Sequence, residues 1–322
     1  LVLSVFPSVG ARDVSQSPVT GTHASRRASG ASRVFRMLSV RSLTDAHVLT
    51  TVPSPPPVAS LVPIRIVIFV ATVWEFAAVR AAVPGGRIDK VQGRSRYCAS
   101  AGGNECWVIQ TGVGPQRAHA AARDVLSQQT FALAISSGFA CALTPAAIGD
   151  ILIGTKAAMI RDGGSLDYLE VEGAERQRWC TLFSGNEALA CATFGGFISA
   201  DRIVYRAAEK VALAERTHAT GLDMESAAVA SEAKAAQVPF LIVRSVSDLL
   251  LEELPLDFNL FLRPTGWVKG VGALLAHPSS LLGLNRLRRQ SAVAAAALTK
   301  SLRTVFNARF GVRPDSRMTM TS

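Results

Sequence analysis

ATGLDMESAAVASEAKAAQVPFLIVRSVSD, residues 219–248, reads as strand, helix and strand in immediate succession. ATGLD (219–223) is short and apolar. An Ala-rich helical stretch runs from about Glu225 to Ala236, and PFLIVRSVS (239–247) is a β-branched run. The same alternation extends outward from this unit. Strand candidates precede it at IRIVIFVAT (64–72), CWVIQTG (106–112), FALAISSG (131–138), DILIGTK (150–156) and ALACATF (188–194). Helical stretches lie between them. Ala118, Ala121, Ala122, Val125 and Leu126 share one face, and a further helix spans about 207–216. The chain is therefore of the α/β class, with a central sheet covered on both sides.

At 322 residues, 49% hydrophobic and 18% charged, the chain is neither fibrous nor wholly disordered. Its net charge of +10 is unevenly placed. Residues 1–60 carry six Arg against two Asp, residues 61–262 carry 18 cations against 21 acids, and residues 263–322 carry ten cations against one Asp. A mildly acidic middle argues against nucleic acid as a partner of the folded body. Residues 1–60 lack a sustained period and end in Pro53, Pro55, Pro56 and Pro57, so they read as a disordered leader and linker. Their composition, rich in Arg and Ser and poor in acids, is also that of an organelle transit peptide, although an unstructured leader is the preferred reading. Residues 61–262 form the folded domain and 263–322 a basic helical extension. In that extension Leu281, Leu284, Leu287, Leu298, Leu302, Val305 and Phe306 share one face of a helix from about Pro278 to Phe306. This face packs on the domain or on a partner subunit, with peripheral membrane contact as the sharper alternative.

Cysteines at 98, 106, 141, 180 and 191 form no CxxC pair, so no metal site is readable, and their scatter fits a reducing, cytoplasmic compartment. The apolar stretch 61–74 is too short to cross a membrane.

In open α/β sheets ligands bind at the carboxyl ends of strands. Glu75, Gly112 with Gly114, Glu225 and Asp248 each follow a strand candidate directly. One crossover between parallel strands would bring Glu225 and Asp248 to the same rim. TGVGPQRA (111–118) fails as a dinucleotide fingerprint, since Arg117 occupies the third glycine position, but it remains a turn that lets backbone approach a small ligand.

Gly221–Asp248, taken with IVIFVATVWEFAAV around Glu75, TGVGPQRAHAA from Thr111, SSGFACAL from Ser136, GDILI from Gly149 and ATFGGFI ending at Ile198, resembles the nucleoside phosphorylase superfamily. Within it the chain resembles the 5'-methylthioadenosine/S-adenosylhomocysteine nucleosidases, over about residues 64–262 in the family's order. The resemblance implies a three-layer α/β/α fold with a central mixed sheet and cleavage of a purine nucleoside N-glycosidic bond, releasing adenine from a 5'-substituted adenosine. It implies Asp248 as the acid that protonates the leaving purine and Glu75 as the acid that positions and deprotonates the attacking water. Glu225 would hold the ribose hydroxyls and Met224 would pack beneath the sugar. Phe197 would stack on the purine with Ile198 beside it, Arg244 would flank the nucleophile, and Gly114 and Gly138 would line the site. Breaking the ribosyl bond builds positive charge on the sugar and negative charge on the base, which calls for an ionised carboxylate near one and a protonated acid near the other.

Departures bear on the substrate. Phe139, Ala140, Cys141 and Ala142 follow Gly138 where the nucleosidases have Ser and a Gly-rich turn, and Phe194-Gly195-Gly196 lacks the usual acid. Both features, and LPLDFNLFL (254–262), are closer to the hopanoid-associated phosphorylases, which act on adenosyl-hopane. No cofactor is implied, phosphate being a co-substrate only in a phosphorylase. No phosphate-holding Arg stands beside Ser136 and Ser137, and Glu75 would repel phosphate, so water is the expected nucleophile, with Arg117 and Arg244 as the residues able to overturn this. A homodimer is implied by the resemblance. A non-catalytic nucleoside-binding protein is the alternative from another class.

Overall fold

The computed structural model describes residues 64–101, 104–160, 166–185, 192–254, 259 and 279–310. The leader 1–60, the opening of the 188–194 strand candidate, most of the 254–262 segment and the last twelve residues lie outside this set. Ten strands are present: β1 (Arg65–Val70), β2 (Arg87–Val91), β3 (Arg94–Ala101), β4 (Asn104–Gln110), β5 (Leu133–Ala142), β6 (Ile151–Met159), β7 (Leu169–Glu170), β8 (Thr193–Ser199), β9 (Gly221–Asp223) and β10 (Phe240–Asp248). The helices are α1 (Val73–Ala82), α2 (Pro115–Leu126), α3 (Gly173–Ser184), α4 (Ala207–Thr217), α5 (Ser226–Ala235) and α6 (Ser279–Phe310).

All ten strands belong to one mixed sheet. β4, β1, β5 and β10 run parallel in that order. The antiparallel β2–β3 hairpin extends the β4 edge through a turn at Gln92 and Gly93, both with positive φ. At the other side the sheet curls on itself. β5 pairs with both β10 and β9, and β10–β6, β6–β8 and β8–β9 complete a closed ring of five strands.

β1 shows how the layers arise. Ile66, Ile68 and Val70 face a core shared with Phe76 and Val79 of α1, Trp179 and Phe183 of α3, and Leu298, Leu302, Val305 and Phe306 of α6. Val67 and Phe69, one residue out of phase, face the opposite core with Ala118, Ala122 and Val125 of α2 and Val229, Ala230 and Ala233 of α5. The period-two pattern thus produces the expected helix, sheet and helix layers.

Three expectations meet the structure. First, the apolar face of the C-terminal helix packs on the domain, as one of its readings had it, because Leu298, Leu302 and Val305 of α6 have no solvent exposure. Leu298, Leu302, Val305 and Phe306 of its apolar stripe are spent on the core shared with α1 and the sheet. No described helix is long and apolar enough to cross a membrane. Second, β8 covers 193–199, which places Phe197 and Ile198 inside a strand instead of after one. Third, β9 and β10 do not form the simple parallel pair expected. Each pairs with β5, β9 antiparallel and β10 parallel, so Glu225 and Asp248 approach from opposed strand directions.

Candidate active site

α1 begins with a capping box. Thr72 Oγ1 accepts from the Glu75 amide at 3.2 Å, and Glu75 Oε2 accepts from the Thr72 amide at 2.7 Å and the Thr72 hydroxyl at 3.0 Å. The Ala71 amide adds a bond to Oε2 at 3.0 Å. Oε1 reaches across to β5, accepting from the Phe139 amide at 2.7 Å with Arg244 Nη1 at 3.8 Å. Every hydrogen-bonding contact of Glu75 comes from a donor, which suits an ionised carboxylate with its remaining lone pair on Oε1. Gly138 makes this crossing possible. A Cβ there would overlap Glu75 Oε1 and stand 2.7 Å from Arg244 Nη1, and its φ of +143° already disfavours a side chain.

Arg244 sits in the middle of β10, opposite Gly138, with 1% of its surface exposed. Its Nη2 lies 2.8 Å from Asp223 Oδ2, 2.9 Å from Ser136 Oγ, 3.1 Å from Ser226 Oγ and 3.8 Å from Glu225 Oε2. Nη1 donates to the carbonyls of Ser137 and Phe139 at 3.3 and 3.4 Å. Burial works against the guanidinium charge, but Asp223, Glu225 and Glu75 outweigh it and raise the Arg244 pKa. Asp223 is itself tied down by Ser199 Oγ at 2.6 Å, by the Glu225 and Ser226 amides at 3.2 Å each, and by the Ser226 hydroxyl.

Glu225 is the N-cap residue of α5. Its Oε1 accepts from the Gly114 amide at 2.8 Å, at the start of α2. Gly114 holds φ at +104°, and Met224 packs beside it. Burial pushes the Glu225 carboxyl up to about 7; Arg244 opposes the shift, while Asp223 and Glu75 add to it. Three carboxylates against one guanidinium leave the cluster with excess negative charge.

Asp248 stands apart, at the end of β10. Four residues beyond Arg244 correspond to about 13 Å of strand, less the kink of a register shift between Val246 and Asp248. Its Oδ2 accepts from Lys210 Nζ at 2.7 Å, while Oδ1 is buried without a hydrogen-bond partner. Burial raises its pKa and Lys210 resists the rise.

The fold therefore gathers Glu75, Gly114, Gly138, Met224, Glu225 and Arg244, with Asp248 further along the same strand. Phe197 and Ile198 lie on β8 just before Ser199, beside β9. Phe197 is fully buried, its ring against Gly221 and Gly154, and Ile198 packs with Leu222 and Leu213. A stacking role for Phe197 needs a ring face that this packing does not leave open. Arg117 is exposed on α2. Asp223, Ser226 and Lys210 join the site although their sequence positions did not single them out, and Ser136, expected to have no Arg beside it, has Arg244 Nη2 at 2.9 Å because β10 pairs with β5. Lys210 carried one readable signal, a cation in phase with Leu213 on the inner face of α4.

A cavity of about 500 Å³ lies beside the cluster, lined mainly by Pro115 of α2, Ala157, Met159 and Ile160 at the end of β6, and Ala227 and Ala228 of α5. Glu75, Glu225 and Asp248 do not line it. Pro115 adjoins Gly114, however, and Ala227 lies two residues from Glu225. Among the described residues no group of three His, Cys, Asp or Glu side chains is placed to hold a metal ion.

A three-layer α/β body with a buried, acid-rich polar cluster beside its parallel strand ends is the setting in which such sheets bind small polar ligands. A family model described as the phosphorylase superfamily matches residues 65–263. The chain belongs to that superfamily and cleaves N-glycosidic bonds of nucleosides, as a hydrolase or a phosphorylase. Solved structures agree on the fold. Futalosine hydrolase of Helicobacter pylori is 14% identical with a TM-score of 0.60, over 76% of this chain and 97% of that one. A 5'-methylthioadenosine/S-adenosylhomocysteine nucleosidase from Neisseria meningitidis, solved with methylthio-immucillin-A, is 18% identical with a TM-score of 0.57, over 76% and 99%. The Campylobacter jejuni nucleosidase is 20% identical with a TM-score of 0.53, over 66% and 97%. No curated protein matches the chain at a significant level.

Proposed function

We propose that the enzyme hydrolyses a 5'-substituted adenosine, releasing adenine through an oxocarbenium-like transition state. One observation carries this reading: Glu75, Asp223 and Glu225 surround the buried guanidinium of Arg244. Their uncompensated negative charge suits a ribosyl group that becomes cationic as its bond to the base breaks. Glu225 accepts the ribose hydroxyls over Met224, and Glu75 offers the free lone pair of Oε1 to the attacking water. Asp248, buried and raised in pKa, protonates the purine as it leaves. Activity then needs Glu225 ionised and Asp248 protonated, which gives a bell-shaped pH dependence.

The same charge favours water over phosphate. Arg244 is already committed to Asp223, and the neighbouring carboxylates repel an incoming dianion. Adenine release from 5'-methylthioadenosine, assayed with and without phosphate, tests the reading. It predicts equal rates, whereas a strict phosphate requirement would establish phosphorolysis and no release from any 5'-substituted adenosine would leave a binding protein. A second reading, a bulky apolar 5'-substituent such as that of adenosyl-hopane, draws support from the apolar wall that Pro115, Ala157, Met159 and Ala227 give the cavity beside Gly114, although His119, Asp167 and Asp201 line it too. The homodimer expected from the family belongs to this proposal, with light scattering as its check.

A further inference from the structure

Lys210 and Leu213 are the two buried residues of α4. The Lys210 ammonium is wholly shielded from solvent, at 0% exposure, and it is fully bonded: 2.7 Å to Asp248 Oδ2, 3.2 Å to the Leu249 carbonyl and 2.7 Å to the Glu252 carbonyl. All three ammonium protons are thus used. The chain bends around this group immediately after β10, so α4 and the strand end are fastened through one side chain. Asp248 is treated asymmetrically. Its Oδ2 is clamped by the ammonium, whereas its buried Oδ1 meets no N–H or O–H donor among the described residues and the weakly donating Cys141 thiol faces the carboxyl group. An ion pair serving stability alone is expected to satisfy both carboxylate oxygens, since a bare buried acceptor is costly.

We propose that Lys210 is a positioning residue for the leaving-group acid: it fixes Oδ2 so that Oδ1 is the oxygen that carries the proton and delivers it to the base. This rests on the assignment of Asp248 as that acid. As the ribosyl C1'–N9 bond breaks, its electron pair passes to the purine. The O–H bond at Oδ1 breaks and an N–H bond forms on the base. The carboxylate left behind gains the Lys210 ammonium as its counter-charge. Water supplies the oxygen that bonds to C1' and gives its proton to Glu75; Glu75 releases that proton to solvent and Asp248 takes one up from solvent, so the cycle closes without a further reactant.

Three groups with titratable side chains face Asp248. Lys210 comes from α4, Cys141 from β5, and Glu252 from the segment following β10. The Glu252 carboxylate is held in turn by Arg286 and Gln290 of α6 at 2.9 Å each. The Cys141 thiol is pushed far above its usual range by burial and stays neutral. Lys210 is the cation bonded to Asp248 among the described residues. An opposite charge this close lowers a carboxyl pKa by about 1–3 units, so Lys210 limits how far burial raises the pKa of the acid.

The pH profile of kcat/KM for 5'-methylthioadenosine separates positioning from simple support. In Lys210→Met the basic limb moves to higher pH by about one unit or more, and the plateau kcat falls about tenfold or more because Oδ1 is no longer held. Lys210→Arg keeps the charge and leaves the limb where the wild type has it. If Lys210→Met does not fold, Lys210→Gln, which retains a donor for the Glu252 carbonyl, carries the same expectation. An unshifted limb with undiminished kcat in the neutral variant, while Asp248→Asn is inactive, overturns the positioning role and leaves Asp248 as the acid. Full activity of Asp248→Asn overturns the assignment of the acid itself.

Discussion

Asp223 Oδ2 and Arg244 Nη2 meet at 2.8 Å, with 1% of each side chain exposed, and the pair joins the start of the β9–α5 turn to the middle of β10. Asp223 therefore holds in place both the guanidinium and, through its Oδ1 bonds to the Glu225 and Ser226 amides, the backbone that presents Glu225. Losing one partner strands a buried charge. Asp223→Ala is expected to destabilise the fold by about 3–5 kcal/mol, read as a fall in the urea midpoint. The double variant Asp223→Ala/Arg244→Met is expected to lose less than the sum of the single losses. Additive losses would show that the two side chains act independently.

Gly138→Ala tests the close approach of α1 to β10. The new methyl group would overlap Glu75 Oε1 at a φ of +143°. A stability loss of about 1–3 kcal/mol follows, together with a drop in kcat, since Glu75 and Arg244 are both displaced. Thermal melts and turnover on one preparation give both numbers, and a fully active, equally stable variant would mean that the crossing is looser than described.

Glu225 links stability to pH. Its folded pKa of about 7 lies above the ordinary value of 4.5, so its stabilising contribution is complete below the ordinary value and is lost as pH rises through the folded one. Wild type should lose roughly 3 kcal/mol from this group between about pH 4.5 and 7. Glu225→Gln removes that part of the slope, so the difference between the two unfolding curves, followed by urea titration at stepped pH, isolates it. Parallel curves for the two proteins would rule out the shift.

The placement of α6 makes the C-terminal helix indispensable to the fold. Leu302 has no solvent exposure within the core shared with α1 and β1. Leu302→Ala is expected to cost about 2–5 kcal/mol. Truncation before Ser279 should abolish soluble expression, whereas an independent appendage would be removed without consequence to the melting temperature.

Much of this was legible because the relevant signals are local. The β-branched runs of β1, β5 and β10 and the alanine stripe of α2 each announce their element over a few residues. β2 and β3 gave no such signal, since RIDKV and RSRYCASA alternate charge with small residues at a sheet edge, and only the turn at Gln92-Gly93 marks them. The family resemblance pointed to the acids at 75 and 225 and the arginine at 244, and the fold brings these three side chains together. The curl of the sheet was not readable, because it depends on β5 pairing with three other strands, and no periodicity within β5 encodes that. Asp223 was read as the end of a strand and Lys210 as part of a helix. What makes each of them consequential is a partner 21 and 38 residues away, respectively, Arg244 and Asp248.

The most direct test of the account compares adenine release from 5'-methylthioadenosine by the wild type and by Asp248→Asn, with nucleoside binding measured on both. The account predicts rapid release by the wild type, a loss of at least about a hundredfold in the variant, and retained binding. Release by the variant at the wild-type rate would contradict it.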